Sequence, residues 1–138
     1  MREIMFRGKR LDNGEWVEGC FGCHTKFDAF IIHRPYPTMD GDFAALGFYE
    51  VDPNTVGQYT GLCDKNGKKI FEGDILKLDY IGPGRGVQGV AEVVFKYGKF
   101  CMPWGHRKEL VPLDGFANTT MEIIGNIHDN PELLGGGE

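Results

Sequence analysis

Cys20-Phe21-Gly22-Cys23-His24 is the run with the most chemical promise in this chain. Two thiols three positions apart beside an imidazole match the C-x-x-C-H pattern of covalent haem attachment, in which the thiols form thioethers and the histidine ligates iron. That chemistry belongs to exported proteins, and the opening MREIMFRGKR lacks the apolar stretch of an export signal. The run also falls where a strand-like segment ends. No helix follows to lower a thiol pKa, so neither haem nor a redox dithiol is expected. The same thiolates could supply half of a zinc site, with His24 or His33 beside them. A closed structural site takes four ligands, there is no second C-x-x-C, and Cys63 and Cys101 would have to converge through the fold. A zinc-dependent regulator or enzyme built on Cys20, Cys23 and His24 stands as an alternative. The favoured expectation is no metal and no cofactor, with the cysteines packing as small hydrophobes.

Other candidate chemistry is weaker. Gly84 to Gly89 satisfies G-x-G-x-x-G, but the VAEVVF that follows is strand-like, and a dinucleotide fingerprint needs a helix there to hold the pyrophosphate. The segment Gly82 to Gly89 is expected to be a loop with Arg85 at its tip. Asp64, Glu72, Asp74 and Asp79 are close in sequence, but nothing in the pattern indicates the burial that would split their pKa values for acid–base work. Asp64 reads as a turn residue, and Asp74 as an acceptor for backbone N–H groups at a corner. The four histidines are dispersed and no nucleophile–base spacing is present. No catalytic residue is assigned. Tyr97, Trp104, His106 and Arg107, with Arg85, are the candidate binding residues, because aromatic and basic side chains on a small sheet can hold a peptide or a single strand.

The elements that must position these residues are short strands. Outside the C-terminal tail, the glycines among the 21 in 138 residues lie singly between apolar runs, as turn punctuation does. Ile4 to Phe21 reads as a hairpin turning at Asn13-Gly14. A strand over Thr25 to Arg34 should end at Pro35 and Pro37, and another should cover Ala45 to Val51. Asp64-Lys65-Asn66-Gly67 is the strongest hairpin turn, and Gly73-Asp74 makes a corner before a strand over Ile75 to Ile81. Val90 to Lys96 and Lys99 to Trp104 form a hairpin through Tyr97-Gly98, with Pro103 placing the second strand at an edge. Met121 to Ile127 is the last strand. Asn130-Pro131 caps a short helical turn, and residues 135–138 form a flexible tail. The expected fold is mostly β: a small pseudo-barrel with Src-homology-3-like strand order over about 57–134, and an N-terminal β-hairpin lobe over about 1–56. Together they make one domain over 1–134.

The net charge of −5 argues against non-specific binding to nucleic acid, which needs clustered Lys and Arg. No run approaches the ~20 apolar residues of a membrane span. A cytoplasmic protein with reduced thiols is expected.

Four stretches give the chain a resemblance. They are Met1-Arg2-Glu3-Ile4 with Phe6-Arg7, the block QYTGLCDKNGKKIFEGDI from Gln58 to Ile75, EVVF followed by Gly98 and Phe100, and IIGNIHDNPELL from Ile123 to Leu134. In this order they resemble the YopX family, small proteins of bacteriophage and prophage genomes. The insert from His24 to Gly47 and the segment Gly82 to Gly89 match least. The resemblance implies a mostly β fold with a pseudo-barrel, a phage or prophage accessory role and self-association, and it carries over no catalytic residue. The expected function is non-enzymatic binding of a host or phage protein, with a homo-oligomeric state. Single-stranded nucleic-acid binding through Tyr97, Trp104, Arg107 and Lys108 is a further alternative.

Overall fold

The structure is a computed structural model that describes residues 3–23, 28–82, 85–105, 107–115 and 119–135. Its contacts divide the chain into residues 1–59 and 60–138. The described residues are mostly strand, and their one α-helix is the four-residue α1 (Glu132–Gly135).

The first unit holds β1 (Phe6–Lys9), β2 (Trp16–Gly22), β3 (Ala29–Pro37) and β4 (Phe43–Val51), then one 3-10 turn, Pro53–Thr55, and the start of β5 (Gly57–Cys63). Antiparallel pairing runs β4-β3-β2-β1-β5. The first hairpin pairs Lys9 with Trp16, and its turn places Gly14 at φ 72°, where a β-carbon would be strained. An isolated bridge joins Arg10 to Val51, and Asp52 N–H donates to the Lys9 carbonyl at 2.9 Å, so the end of β4 returns to the end of β1. Val17, Ala29, Ile31 and Val51 form the core here, with Phe6, Tyr49 and Val56 against it. The basic cluster of the first strand is absorbed locally. Arg7 lies 4.7 Å from the Trp16 ring, and Arg10 lies 4.3 Å from the Tyr49 ring while pairing with Asp12 at 2.7 Å.

β3 does not stop at Pro35. It continues to Pro37, with Pro35 opposite Ala45. β2 reaches only as far as Ile32, so beyond that point β3 has β4 alone for a neighbour, and a missing N–H on the other side costs no ladder bond.

The second unit contains the end of β5, then β6 (Lys69–Phe71), β7 (Asp74–Gly82), β8 (Arg85–Glu92), β9 (Val94–Lys96), β10 (Lys99–Trp104), β11 (Glu109–Pro112) and β12 (Thr119–Asn126). Two three-stranded antiparallel sheets, ordered β12-β7-β8 and β11-β10-β9, lie in it. The expected mostly β fold is what forms; the expected pseudo-barrel and Src-homology-3-like order are not confirmed, and among the described residues there is no closed barrel. The reason is local. The backbone of Val93 bonds to Gly73 and Asp74, which diverts the chain between β8 and β9 and splits one expected strand into two sheets. The core gathers Ile70, Leu76, Leu78, Val93 and Met102, all at most 1% exposed.

Two further expectations are corrected. The glycine-rich stretch is not a loop. β7 and β8 pair as far as Gly82 and Arg85, and only residues 83–84 between them lie outside the described set. Gly89 sits inside β8 because the Trp104 ring occupies the space its β-carbon would take. β10 is the central strand of its sheet, not an edge. Pro103 is tolerated because β9 pairs only as far as Cys101, leaving β11 as the one neighbour at that point.

The carboxylates are more buried than the sequence pattern suggests, with Asp64 7% and Asp74 1% exposed. Asp74 accepts from Phe71 N–H at 2.8 Å and closes the Gly73 corner, where Gly73 has φ 92°. Asp64 accepts from Asn66 and Lys68 N–H at 2.9 Å each within its hairpin turn, and from Ile123 N–H of β12 at 3.1 Å. Burial alone would raise the Asp64 carboxyl, but the N–H groups of Ile123, Lys68 and Asn66 outweigh it and hold the pKa below the ordinary 3.8.

At the C-terminus, the Asn130 side chain accepts from Asn126 N–H at 3.3 Å instead of capping the helix. Asn130's backbone carbonyl takes the Leu133 N–H, because the Asn126 turn claims the side-chain oxygen.

A lowered folded-state pKa means that the stabilisation from Asp64 is complete above the ordinary carboxylate range and is lost as pH falls through the folded value. Asp64→Asn should lower unfolding stability by about 2 kcal/mol at neutral pH, since a buried acceptor of three N–H groups is replaced. In urea titrations between pH 7 and 2, the variant should also show a shallower acid-side loss than wild type.

Candidate functional site

The residues singled out for chemistry do not converge. Cys20 in β2 and Cys23 just beyond it are exposed, as is Cys63, whereas Cys101 is buried in the second unit. His24 lies outside the described residues, and His33 Nδ1–H donates to the Glu18 carbonyl at 2.9 Å. Among the described residues no group of three or more His, Cys, Asp or Glu side chains is placed to hold a metal ion.

The candidate binding residues divide by role. Trp104 packs against the core of the second unit and over Gly89, so most of its ring is a wall of the interior. Arg107 is exposed in the turn between β10 and β11, His106 beside it lies outside the described residues, and Arg85 opens β8 opposite Gly82. Tyr97 is 88% exposed at the tip of the β9–β10 hairpin.

Tyr97 and Gly98 have φ 53° and 76°, the doubly left-handed conformation of a two-residue I′ turn. Asn, Asp and Gly suit that turn; a tyrosine there carries strain and gains no burial. The turn also sets Phe95 across from Phe100, with ring centroids 5.0 Å apart, and Lys96 across from Lys99. Phe100 continues into a cleft of about 490 Å³, whose apolar walls are Leu62, Phe100, Pro112 and Leu113 and whose charged groups are Lys99 and Asp114. Thr60 also lines it, but its hydroxyl is spent, donating to the Ile70 carbonyl at 2.8 Å and accepting from Leu62 N–H at 3.2 Å. The volume lies within the ~300–1,000 Å³ of small-ligand pockets. The sequence singles out Tyr97, which does not line the cleft, and gives no sign of Leu62, Lys99 and Asp114, since nothing local brings the end of β5 beside β10.

A second apolar surface lies in the first unit. β4 is an edge strand with Leu46 64% and Phe48 66% exposed, and Met39 stands fully exposed in the turn before it. Phe48 pairs across to the partly buried Ile32, and Ile32 to the exposed Cys20, so the outer face of β2–β3–β4 is an apolar row. β4 carries one charge, Glu50, and none of the Lys or Pro residues that commonly protect a free edge.

Among the described residues, antiparallel sheets with two separate cores and one four-residue helix define a mostly β fold without a closed barrel. The family model described as YopX protein matches residues 6–135, and the chain belongs to that family. A crystal structure of a protein from Enterococcus faecalis is similar at a TM-score of 0.64 and 24% identity, covering 97% of this chain and 99% of that one. The crystal structure of YopX from Bacillus subtilis is similar at 0.54 and 19% identity, covering 97% of each chain. At these identities the two structures speak for the fold alone. No curated protein matches the chain. Among the described residues no helix is long and apolar enough to cross a membrane.

Replacing Tyr97 with Asn should raise unfolding stability by roughly 0.5–1 kcal/mol, because Asn tolerates the left-handed region that strains Tyr. Chemical denaturation of the two proteins checks this; an equal or lower midpoint for the variant would remove the argument that the turn retains Tyr97 against its conformational preference.

Proposed function

We propose that this YopX-family chain is a non-enzymatic accessory protein, of phage or prophage origin as the family resemblance implies, that works by binding another protein. The observation that carries this reading is the outer face of the β3–β4 hairpin. Leu46 and Phe48 are each about two-thirds exposed on an edge strand, where an apolar residue costs solubility unless something covers it. An edge also offers a row of N–H and C=O groups to an added strand, and a second copy of β4 supplies the same row in reverse. Host or phage proteins and a second copy of the chain are therefore the partners this surface suits, in a cytoplasmic setting.

Leu46→Glu with Phe48→Glu should leave the fold intact, since both side chains point to solvent, and should abolish binding. Sedimentation velocity at micromolar concentration should show wild type associated and the double variant monomeric. Affinity capture from lysogenic cells should retain a protein on wild type that the variant loses. A monomeric wild type with identical captures for both baits would refute the reading.

A further inference from the structure

The β9–β10 hairpin and its adjoining cleft are unused by the reading above, and they have a chemistry of their own. Lys96 and Lys99 close the Tyr97-Gly98 turn as directly opposed cross-strand partners. Like charges so placed repel each other. Neither lysine is among the ion pairs Arg10–Asp12 and Lys65–Glu122, and the carboxylate whose charge interacts with Lys96 is Glu92, at the end of β8. An anion between the two lysines relieves that repulsion, and Lys99 stands at the wall of the cleft. Next to it the apolar surface is larger than the cleft: Phe95 is 49% and Tyr97 88% exposed, and Leu62 37%. Tyr97 holds its exposed place in a backbone conformation that disfavours it.

We infer that this cleft and hairpin dock an extended acidic–apolar peptide segment, with a bulky apolar side chain against Leu62, Phe100 and Pro112 and an adjacent carboxylate between Lys96 and Lys99. Charge complementarity chooses a peptide over a nucleic-acid strand. Asp114 lines the same cleft, and Glu92 lies near both Lys96 and Glu72, so a backbone with a charge at every residue meets carboxylates on both sides. A peptide with one or two acidic groups satisfies the lysines and leaves Asp114 to face an N–H or a basic residue. The inference deepens the protein-binding reading but stands on a different surface from Leu46 and Phe48, so each can fail without the other.

The probe is the acetylated peptide Gly-Asp-Glu-Phe-Leu-Gly, titrated into the full-length ¹⁵N-labelled chain. The comparison probes carry Lys-Lys in place of Asp-Glu, or Ser-Ser in place of Phe-Leu, and a fourth is a ten-nucleotide oligothymidylate. Saturable amide shifts are expected at Leu62, Lys99 and Phe100 with the first peptide, with at least fivefold weaker binding of the other three. Lys99→Glu should weaken the acidic peptide at least fivefold and strengthen the Lys-Lys peptide, with a melting midpoint no lower than wild type, because Lys99 is exposed and the exchange replaces a like-charge cross-strand pair with an opposite-charge one. Should that variant fail to fold, Lys96→Glu makes the same reading. No saturable binding of the acidic peptide at millimolar concentration would overturn the inference, as would an affinity indifferent to both charge reversals. Tighter binding of the oligonucleotide to the same amides would replace it with a nucleic-acid site.

Discussion

The second unit hangs on one buried carboxylate. Asp64 ends β5, turns the chain through Asn66-Gly67 and reaches across to β12, so three N–H groups from two distant parts of the sequence share its two oxygens. Lys65 N–H bonds to the Met121 carbonyl at 2.8 Å, and Lys65 Nζ pairs with Glu122 at 2.9 Å, making the whole turn a clasp on that strand. The register of β12 against β7 slips between Ile123 and Gly125, one residue beyond the Ile123 whose N–H Asp64 takes. A second carboxylate, Asp74, does the same for the Gly73 corner, and from that corner the chain enters β7, receives Val93 and Ile127, and builds its core.

This division of labour explains why the most distinctive block of the sequence is chemically quiet. From Gln58 to Ile75 the polar residues serve turns and corners, and the apolar ones Ile70, Phe71 and Ile75 are buried. Leu62 is the block's exposed apolar side chain, and the other residues left with unspent surface are elsewhere. They are the edge strand β4 with Leu46 and Phe48, and the β9–β10 hairpin with Phe95 and Tyr97. Trp104 reads as a binding residue in the sequence but is occupied, covering Gly89, and the cationic Arg7 and Arg10 stack on Trp16 and Tyr49. Aromatic and cationic side chains are as useful inside a small β unit as on it, and only packing distinguishes the two uses.

Much of the strand plan is legible in the chain because turn chemistry is local. Asn13-Gly14, Asn66-Gly67, Gly73-Asp74 and Tyr97-Gly98 each announce a reversal, and at each the glycine has positive φ. The same local signals mislead where glycine and proline serve packing instead. Gly82 to Gly89 reads as a loop yet lies mostly in strands, because Gly89 makes room for an indole that arrives from fifteen residues downstream. Pro35 and Pro103 read as a terminator and an edge marker, yet both sit within strands, where a neighbouring strand has already ended.

The amino-acid sequence alone determines the β class, the turns, the family and the acidic balance of this protein, since each depends on residue type and near-neighbour spacing. The tertiary structure decides the rest: that Asp64 and Asp74 are buried, that the sheets stay open, that the cysteines remain apart, and that Leu62 meets Phe100 and Lys99 around one cleft. These follow from which strand edges find partners and how far each pairing runs, and such long-range hydrogen bonding is set by the whole chain rather than by any window of it.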